Sequence, residues 1–126
     1  MPAAGNTLRA IHGSWTPFRL IGAASANATT LKASPGILGA LWCTCIDTVP
    51  VFLKFYDMTA APASTDTPVL VFGIPGNAAG GGGCIPLPPE GCRFLSGIGF
   101  RIVKGIADAD NTSLAASTVA LSLLYL

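Results

Sequence analysis

Glycine and proline interrupt this sequence so often that helices of ordinary length have little room to form. The 126 residues include 15 glycines and 10 prolines, which recur at short intervals along the chain. Proline fixes φ and removes a backbone donor, and glycine weakens a helix interior, so both mark turns and chain reversals. The apolar runs between them have the length of β-strands. The sequence therefore predicts an all-β fold.

Eight segments have the composition or the alternation of β-strands. Val51, Leu53 and Phe55 fall on one face of their segment, and the residues between them fall on the other. The last segment is apolar on both faces, which is typical of a strand in the middle of a sandwich or beneath a neighbouring subunit. Short strands separated by turn signals predict a β-sandwich or jelly roll. The predicted strands are 15–21, 28–33, 37–46, 50–57, 67–74, 91–95, 98–104 and 117–125.

The chain has the length of one domain with a single core. Residues 1–14 show no periodicity, so we expect an N-terminal arm there, followed by one β-sandwich domain over residues 15–126. The stretch GNAAGGGGC at 76–84 is of low complexity, and we expect a loop that is ordered only where something holds it.

Charge is scarce in this sequence. Charged residues make up 10% and hydrophobic residues 51%, whereas a globular domain usually has about 25% charged residues. The net charge of +1 provides no field that would attract nucleic acid. No apolar run approaches the length of about 18 residues that a membrane helix needs, and the first residues show no leader pattern. Low charge without a membrane segment indicates that other protein covers part of the surface.

The four cysteines, Cys43, Cys45, Cys84 and Cys92, are the sharpest candidates for chemistry. Zinc sites usually draw thiolates from tight C-x₂₋₄-C pairs, and neither pair of cysteines has that spacing. A four-thiolate site and a Cys84–Cys92 disulfide both stay open, although a disulfide needs an oxidising compartment. We favour free, buried cysteines that act as small apolar side chains. No metal or cofactor is expected.

Other catalytic residues are few. His12 is the only histidine, and nothing around it resembles a nucleophile elbow. Asp108 and Asp110 lack the glycine and glutamate of a calcium-binding loop, so we expect them to organise a turn through backbone amides. We predict no catalytic, cofactor-binding or metal-binding residue and a protein that is not an enzyme. The aromatic residues expected in the core are Trp15, Trp42, Phe52, Phe55 and Tyr56.

The segments 52–76 (FLKFYDMTAAPASTDTPVLVFGIPG) and 97–116 (GIGFRIVKGIADADNTSLAA) resemble a family of small virion proteins of tailed bacteriophages. Those proteins have a strand ending in Tyr-Asp, a turn rich in Ala, Pro and Thr, and then Thr-Asp-Thr-Pro-Val and Ile-Pro-Gly. A Gly-Ile-x-Phe strand and a Gly-x-Ala-Asp-x-Asp turn follow. The likeness runs from about residue 29 to the C-terminus, and the cysteines and AGGGGCIPLPPEGC lie outside it. The matching residues are Lys54, Tyr56, Asp57, Pro62, Thr65, Asp66, Thr67, Pro68, Pro75, Gly76, Gly97, Phe100, Gly105, Ala107, Asp108, Asp110 and Tyr125.

The resemblance implies a capsid cement or decoration protein. Such a protein lies on the outer surface of the capsid in the virion, binds the major capsid protein across subunit junctions and stabilises the DNA-filled head. It implies a homotrimer, with no nucleic-acid or membrane partner. Residues 1–14 and the glycine-rich loop are our candidates for segments that become ordered on the capsid, and the polar anchors of the arm would be Arg9, His12 and Arg19.

Two alternatives stay open at this point. The first is a tail, adaptor or fibre protein of the same virion whose sandwich supports a shaft or binds a glycan. The second is a cysteine-dependent or zinc-dependent hydrolase, which stoichiometric zinc in the purified protein would favour.

Overall fold

The computed structural model describes residues 8–10 and 13–126, with side chains from Trp15 onward, and every regular element in that range is a β-strand. Ten strands form two antiparallel sheets. The strands are β1 (Leu8–Ala10), β2 (Gly13–Ile21), β3 (Thr29–Lys32), β4 (Gly36–Cys45), β5 (Val51–Tyr56), β6 (Leu70–Ile74), β7 (Gly81–Cys84), β8 (Cys92–Phe94), β9 (Ile98–Val103) and β10 (Val119–Tyr125).

One sheet has six strands and the other has four. In the six-stranded sheet the order is β1-β2-β10-β4-β7, and β8 pairs with the first part of β4 while β7 pairs with its last part. In the four-stranded sheet the order is β3-β9-β5-β6. These pairings agree with the predicted all-β sandwich. The jelly-roll connectivity is not confirmed.

The core lies between the two sheets and is joined by aromatic contacts. Phe18 of β2 packs edge-on against Phe100 of β9, with ring centroids 5.8 Å apart. Phe55 of β5 contacts Phe94 of β8 at 6.2 Å and Phe72 of β6 at 6.0 Å. Rings from both sheets therefore interlock in the offset geometries that aromatic pairs prefer. The fully buried aliphatic residues around them include Leu38, Leu41, Val51, Leu53, Ile98, Ile102 and Leu121.

All eight predicted segments contain a strand, with ends that differ by a few residues. The last predicted segment contains β10, which lies between β2 and β4 in the middle of its sheet. Only one of its faces is buried, since Ala120 and Ser122 on the other face are exposed. On β5 both faces are buried, because two loops cover the outer side of the four-stranded sheet. Pro62 packs against Gly99 there, and Ala107 accepts a hydrogen bond from Lys54.

The predicted N-terminal arm is not confirmed. Residues 8–10 form β1, which pairs with a β2 that already begins at Gly13, so the predicted boundary at residue 15 falls inside a strand. Residues 1–7, 11 and 12, with His12, lie outside the described residues.

The glycine-rich segment was predicted to be a loop, but its second half is a β-strand. Residues 81–84 form β7, which pairs with residues 42–45 of β4. Gly82 has a φ of 92°, and a Cβ there would overlap the carbonyl oxygen of Cys43. Glycine is therefore what lets this segment approach β4 closely enough to pair.

Candidate functional site

The most concentrated polar cluster in the described structure lies on the outer side of the four-stranded sheet. Lys54 of β5 and Arg101 of β9 are direct cross-strand partners, and they are 0% and 1% exposed. Arg101 donates to the hydroxyl of Tyr56 at 3.1 Å, the carbonyl of Asp110 at 2.8 Å and Oδ1 of Asn111 at 2.8 Å. Burial and the neighbouring Arg101 lower the pKa of Lys54. Apart from the Tyr56 hydroxyl, the acceptors come from the 104–112 segment, which lies over both cations.

Asp110 gives the 104–112 segment its shape. Its carboxylate accepts hydrogen bonds from the N–H of Thr112 at 3.1 Å, the hydroxyl of Thr112 at 3.0 Å and the N–H of Gly105 at 2.9 Å. The Thr112 N–H is the main cause of the lowered pKa of Asp110. A Cβ on Gly105 would overlap that carboxyl group. The prediction that aspartate organises this turn through backbone amides is confirmed for Asp110, whereas Asp108 is exposed beside it.

This cluster holds the fold and presents no reactive group. Among the described residues, no buried side-chain nitrogen or oxygen lacks a hydrogen-bond partner. Both cations donate to acceptors of the chain itself. The cluster therefore fixes the 104–112 segment to the sheet.

Asp57 performs a similar task at the end of β5. Its carboxylate accepts hydrogen bonds from the backbone N–H groups of Ser96 at 2.7 Å, Leu95 at 3.1 Å and Gly97 at 3.3 Å. The Ser96 N–H does most to hold the pKa of Asp57 below its usual range. At Gly97 a Cβ would come within 2.5 Å of the Met58 carbonyl oxygen. Asp57 thus ties the end of β5 to the connection between β8 and β9.

The four cysteines are free thiols in different surroundings. Cys43 and Cys45 are buried on the inner face of β4, as predicted, and burial raises the pKa of Cys43 to about 12. Cys92 is half-buried. Cys84 is exposed on β7, so the prediction of burial is wrong for this residue, because it is the cross-strand partner of Trp42 and lies with it on the outer face of the sheet. Across residues 8–10 and 13–126, no group of three or more His, Cys, Asp or Glu side chains could hold a metal ion.

The chain uses most of its few charges internally. The carboxylate of Asp66 accepts from the N–H of Ala63, and Asp47 pairs with Lys104 at 3.4 Å. Together with the groups described above, these contacts leave a surface with even less free charge than the composition indicates. The internally engaged charged residues are Asp47, Lys54, Asp57, Asp66, Arg101, Lys104 and Asp110.

The first candidate surface is the outer face of the six-stranded sheet, which we call the Trp42 face. Trp42 is 42% exposed and Ile21 is 44% exposed. Trp42 was expected in the core, and this prediction is wrong because alternation on β4 turns Leu41 and Cys43 inward. Arg19, expected to anchor the arm, carries the only charge among these outward positions. The Trp42 face comprises Pro17, Arg19, Ile21, Ala40, Trp42, Thr44, Cys84, Ala120, Ser122 and Leu124.

The second candidate surface is a groove of about 440 Å³ between β6 and β7, which we call the edge groove. Each of these strands lies at one end of its sheet, and an edge strand leaves backbone N–H and C=O groups unpaired on its outer side. The groove is lined by residues 71–75 and 82–86, none of them charged. Val69 and Val71, which are 56% and 41% exposed, extend the apolar surface along β6.

Comparison with protein-family models, with curated protein sequences and with solved structures found no match. In the described part of the chain there is also no helix long and apolar enough to cross a membrane.

Proposed function

We propose that this protein is a bacteriophage capsid cement or decoration protein. It binds the outer surface of the capsid across junctions between major capsid protein subunits and stabilises the DNA-filled head. In this proposal the protein is a structural component of the virion and not an enzyme.

The observation that carries the proposal is the presence of two separate, nearly uncharged surfaces on one small domain. A protein that bridges a lattice needs at least two contacts, either with the shell or with another bound copy, and the Trp42 face and the edge groove provide two surfaces for them. Trp42 and Val71 are 42% and 41% exposed and lie among neighbours that carry almost no charge, which is typical of a surface that another protein covers. The edge groove suits an extended segment of a capsid subunit, which would add to the free edge of β6.

Bridging gives the mechanism of stabilisation. Once one contact with the shell has formed, the next is intramolecular, so the affinity for an assembled shell exceeds that for a separate subunit. A ligand that binds only the assembled state shifts the equilibrium towards that state. The bound protein would thereby oppose the outward pressure of packaged DNA. The three-fold trimer implied by the sequence resemblance remains a prediction.

The roles of the resembling residues support a shared fold. Asp57 and Asp110 accept backbone N–H groups, and Lys54 donates to a backbone carbonyl. Gly97 and Gly105 occupy positions that a Cβ would obstruct. These residues therefore account for the likeness through folding, and the capsid function is argued from the surfaces.

A binding assay with empty phage heads tests the proposal. We expect the purified chain to sediment with heads and to raise the temperature at which they break, and labelled protein to decorate the outer shell in electron micrographs. Val71→Glu should reduce binding at least tenfold, because it places a charge in the apolar lining of the groove. Urea unfolding of the variant checks that the substitution leaves the fold intact.

Ser34→Glu is the matched control, since Ser34 is exposed in the turn after β3, at the opposite end of the four-stranded sheet. Its binding should equal that of the wild-type protein. Label on the tail alone would support the tail or fibre alternative, and the absence of any binding to heads would exclude the cement function.

A further inference from the structure

The single charge of the Trp42 face, Arg19, lies in a row of three residues that also contains Trp42. Ser122 of β10 is paired with Arg19 of β2 on one side and with Trp42 of β4 on the other. These three residues form one row across the sheet, with the guanidinium at one end, the indole at the other and a small side chain between them. Because neighbouring strands are about 4.8 Å apart, Arg19 and Trp42 lie at nearly equal distances from β10.

We infer that a second copy of this chain docks on the Trp42 face, around a two-fold axis that runs along β10. This axis places β2 of each copy over β4 of the other. Each row then faces the same row of the second copy in reverse order. Arg19 of the first copy lies over Trp42 of the second copy, and Trp42 of the first copy lies under Arg19 of the second. The two Ser122 side chains meet at the axis.

Charge complementarity selects this axis. A cation over an indole face is attracted by the ring quadrupole, and one such contact changes an affinity about fivefold or more. The pairing also gives the only charge on the face a partner, so that neither guanidinium is buried alone. A two-fold axis perpendicular to the strands through the same row would instead place Arg19 against Arg19.

The shapes of the neighbouring side chains agree with this pairing. Ala120 and Ser122 are small and exposed, so the two β10 strands can approach to the sheet separation of about 10 Å. Ile21 of one copy faces Thr44 of the other. A shallow cavity of about 80 Å³, lined in part by Ile21, Thr44 and Ala120, leaves room for that contact.

The size of the face predicts a weak pair. The axis along β10 overlaps β2, β10 and β4 of the two copies; three strands at about 4.8 Å and six residues at about 3.4 Å give a face of about 14 Å by 20 Å, or about 600 Å² for two copies. A standard specific interface buries about 1,600 Å², so we expect a monomer–dimer equilibrium that depends on concentration. The pairing needs no capsid. On a shell it would link neighbouring copies, whose effective concentration is high, and it would leave the edge groove as the contact with the capsid.

Sedimentation equilibrium of the full chain over a wide concentration range tests this inference. We expect a monomer–dimer equilibrium, an association constant about tenfold lower for Trp42→Ala, and no dimer for Ser122→Glu, because two carboxylates would face each other at the axis. Leu95→Ala is the matched control, since Leu95 is 70% exposed outside the Trp42 face, and its association constant should equal that of the wild-type protein. Near-ultraviolet circular dichroism confirms that each variant is folded.

Cross-linking tests the position of the axis. In a Cys84→Ser background, Ser122→Cys should be joined into dimers by a bismaleimide that spans about 8 Å, a distance consistent with a sheet separation of about 10 Å. Ser34→Cys in the same background should not be joined.

Three outcomes would overturn the inference. They are a chain that stays monomeric at the highest concentration, a dimer that Ser122→Glu leaves intact, and a three-fold trimer unaffected by Trp42→Ala. None of them bears on the Val71→Glu assay with phage heads, so the failure of the pairing and the failure of the capsid function are distinguishable.

Discussion

Lys54 and Arg101 face each other across β5 and β9 with almost no exposure to solvent. Like charges directly opposite on neighbouring strands destabilise a sheet, and burial adds a desolvation cost. The acceptors that compensate both effects are carbonyl and amide oxygens of the 104–112 segment and the Tyr56 hydroxyl. The two cations are therefore stable only when this segment is in place, and they hold it there.

Replacing Arg101 should release the 104–112 segment. Arg101→Met keeps the aliphatic stem but leaves the oxygens of Tyr56, Asp110 and Asn111 without their donor, which costs about 3 kcal/mol of unfolding free energy. Urea unfolding measures the loss, and hydrogen exchange should increase first in residues 104–112. Arg93→Met on the exposed side of β8 is the control and should change the stability by less than about 0.5 kcal/mol. Equal stability of the two variants would contradict the bracing role of Arg101.

Asp57 should make the stability depend on acid. Hydrogen bonds, chiefly from the Ser96 N–H, lower the pKa of Asp57 in the folded state, so its contribution is fully present above the unfolded value of about 3.9. It is lost as the pH falls through the lower, folded pKa. Unfolding free energy measured from pH 7 to pH 2 should fall less steeply for Asp57→Asn than for the wild-type protein. If the unfolding free energies of the two proteins fell in parallel with pH, the charge of the Asp57 carboxylate would not contribute to stability.

The role of Asp110 in organising its turn could be predicted from the sequence, but the role of Asp57 in binding the connection between β8 and β9 could not. The partners of the Asp110 carboxylate lie five residues or fewer away, so the local pattern of aspartate, asparagine and threonine was sufficient to predict the turn. The partners of the Asp57 carboxylate lie 38 to 40 residues away and become neighbours only when β8 and β9 are in place. The burial of Lys54 and Arg101 could not be predicted from the sequence either, because the segment that covers them lies over them only in the folded sheet.

At the scale of the strand, β7 depends on pairing and not on its own residues. Its sequence GGGC has no apolar alternation that could indicate a strand, since glycine has no side chain to bury. Its order comes from the pairing with residues 42–45 of β4. The other eight strands of residues 13–126 that lie within predicted segments carry apolar side chains on at least one face, and they could be found from the sequence alone.

Alanine substitutions at two neighbouring glycines of β7 can distinguish the cost of backbone strain from the cost of a steric clash. Gly82 and Gly83 both have positive φ, at 92° and 133°, so alanine is strained at either position. A Cβ at Gly82 would also overlap the Cys43 carbonyl oxygen, whereas nothing lies within 4 Å of a Cβ at Gly83. Gly82→Ala should therefore lower the unfolding free energy by about 2 kcal/mol more than Gly83→Ala in urea titrations. Similar losses would mean that β7 moves away from β4 at little cost.

At the scale of the whole molecule, the shortage of charge predicted that something covers the surface but not which part. The position of Trp42 could have been deduced from the alternation of β4, where Leu41 and Cys43 point inward. The edge groove could not be deduced from the sequence, because β6 and β7 belong to different sheets and become neighbours only when the two sheets pack together. The capsid function remains a prediction from the sequence resemblance and from these surfaces.

Pairing through the Trp42 face should make the thermal stability depend on protein concentration. Association that requires the folded state raises the unfolding midpoint by mass action. We expect the midpoint measured by calorimetry to rise over a hundredfold increase in concentration, and to stay constant for Ser122→Glu, which cannot pair. A wild-type midpoint independent of concentration would contradict the pairing.

The uncharged lining of the edge groove has a consequence for handling this protein. Contacts between ion pairs weaken as electrolyte is added, whereas contacts between apolar side chains gain their free energy from released water near room temperature and weaken on cooling. Binding to the capsid through residues 71–75 and 82–86 should therefore persist at high salt concentration and weaken near 0 °C. Refrigeration, and not desalting, is the treatment expected to detach it.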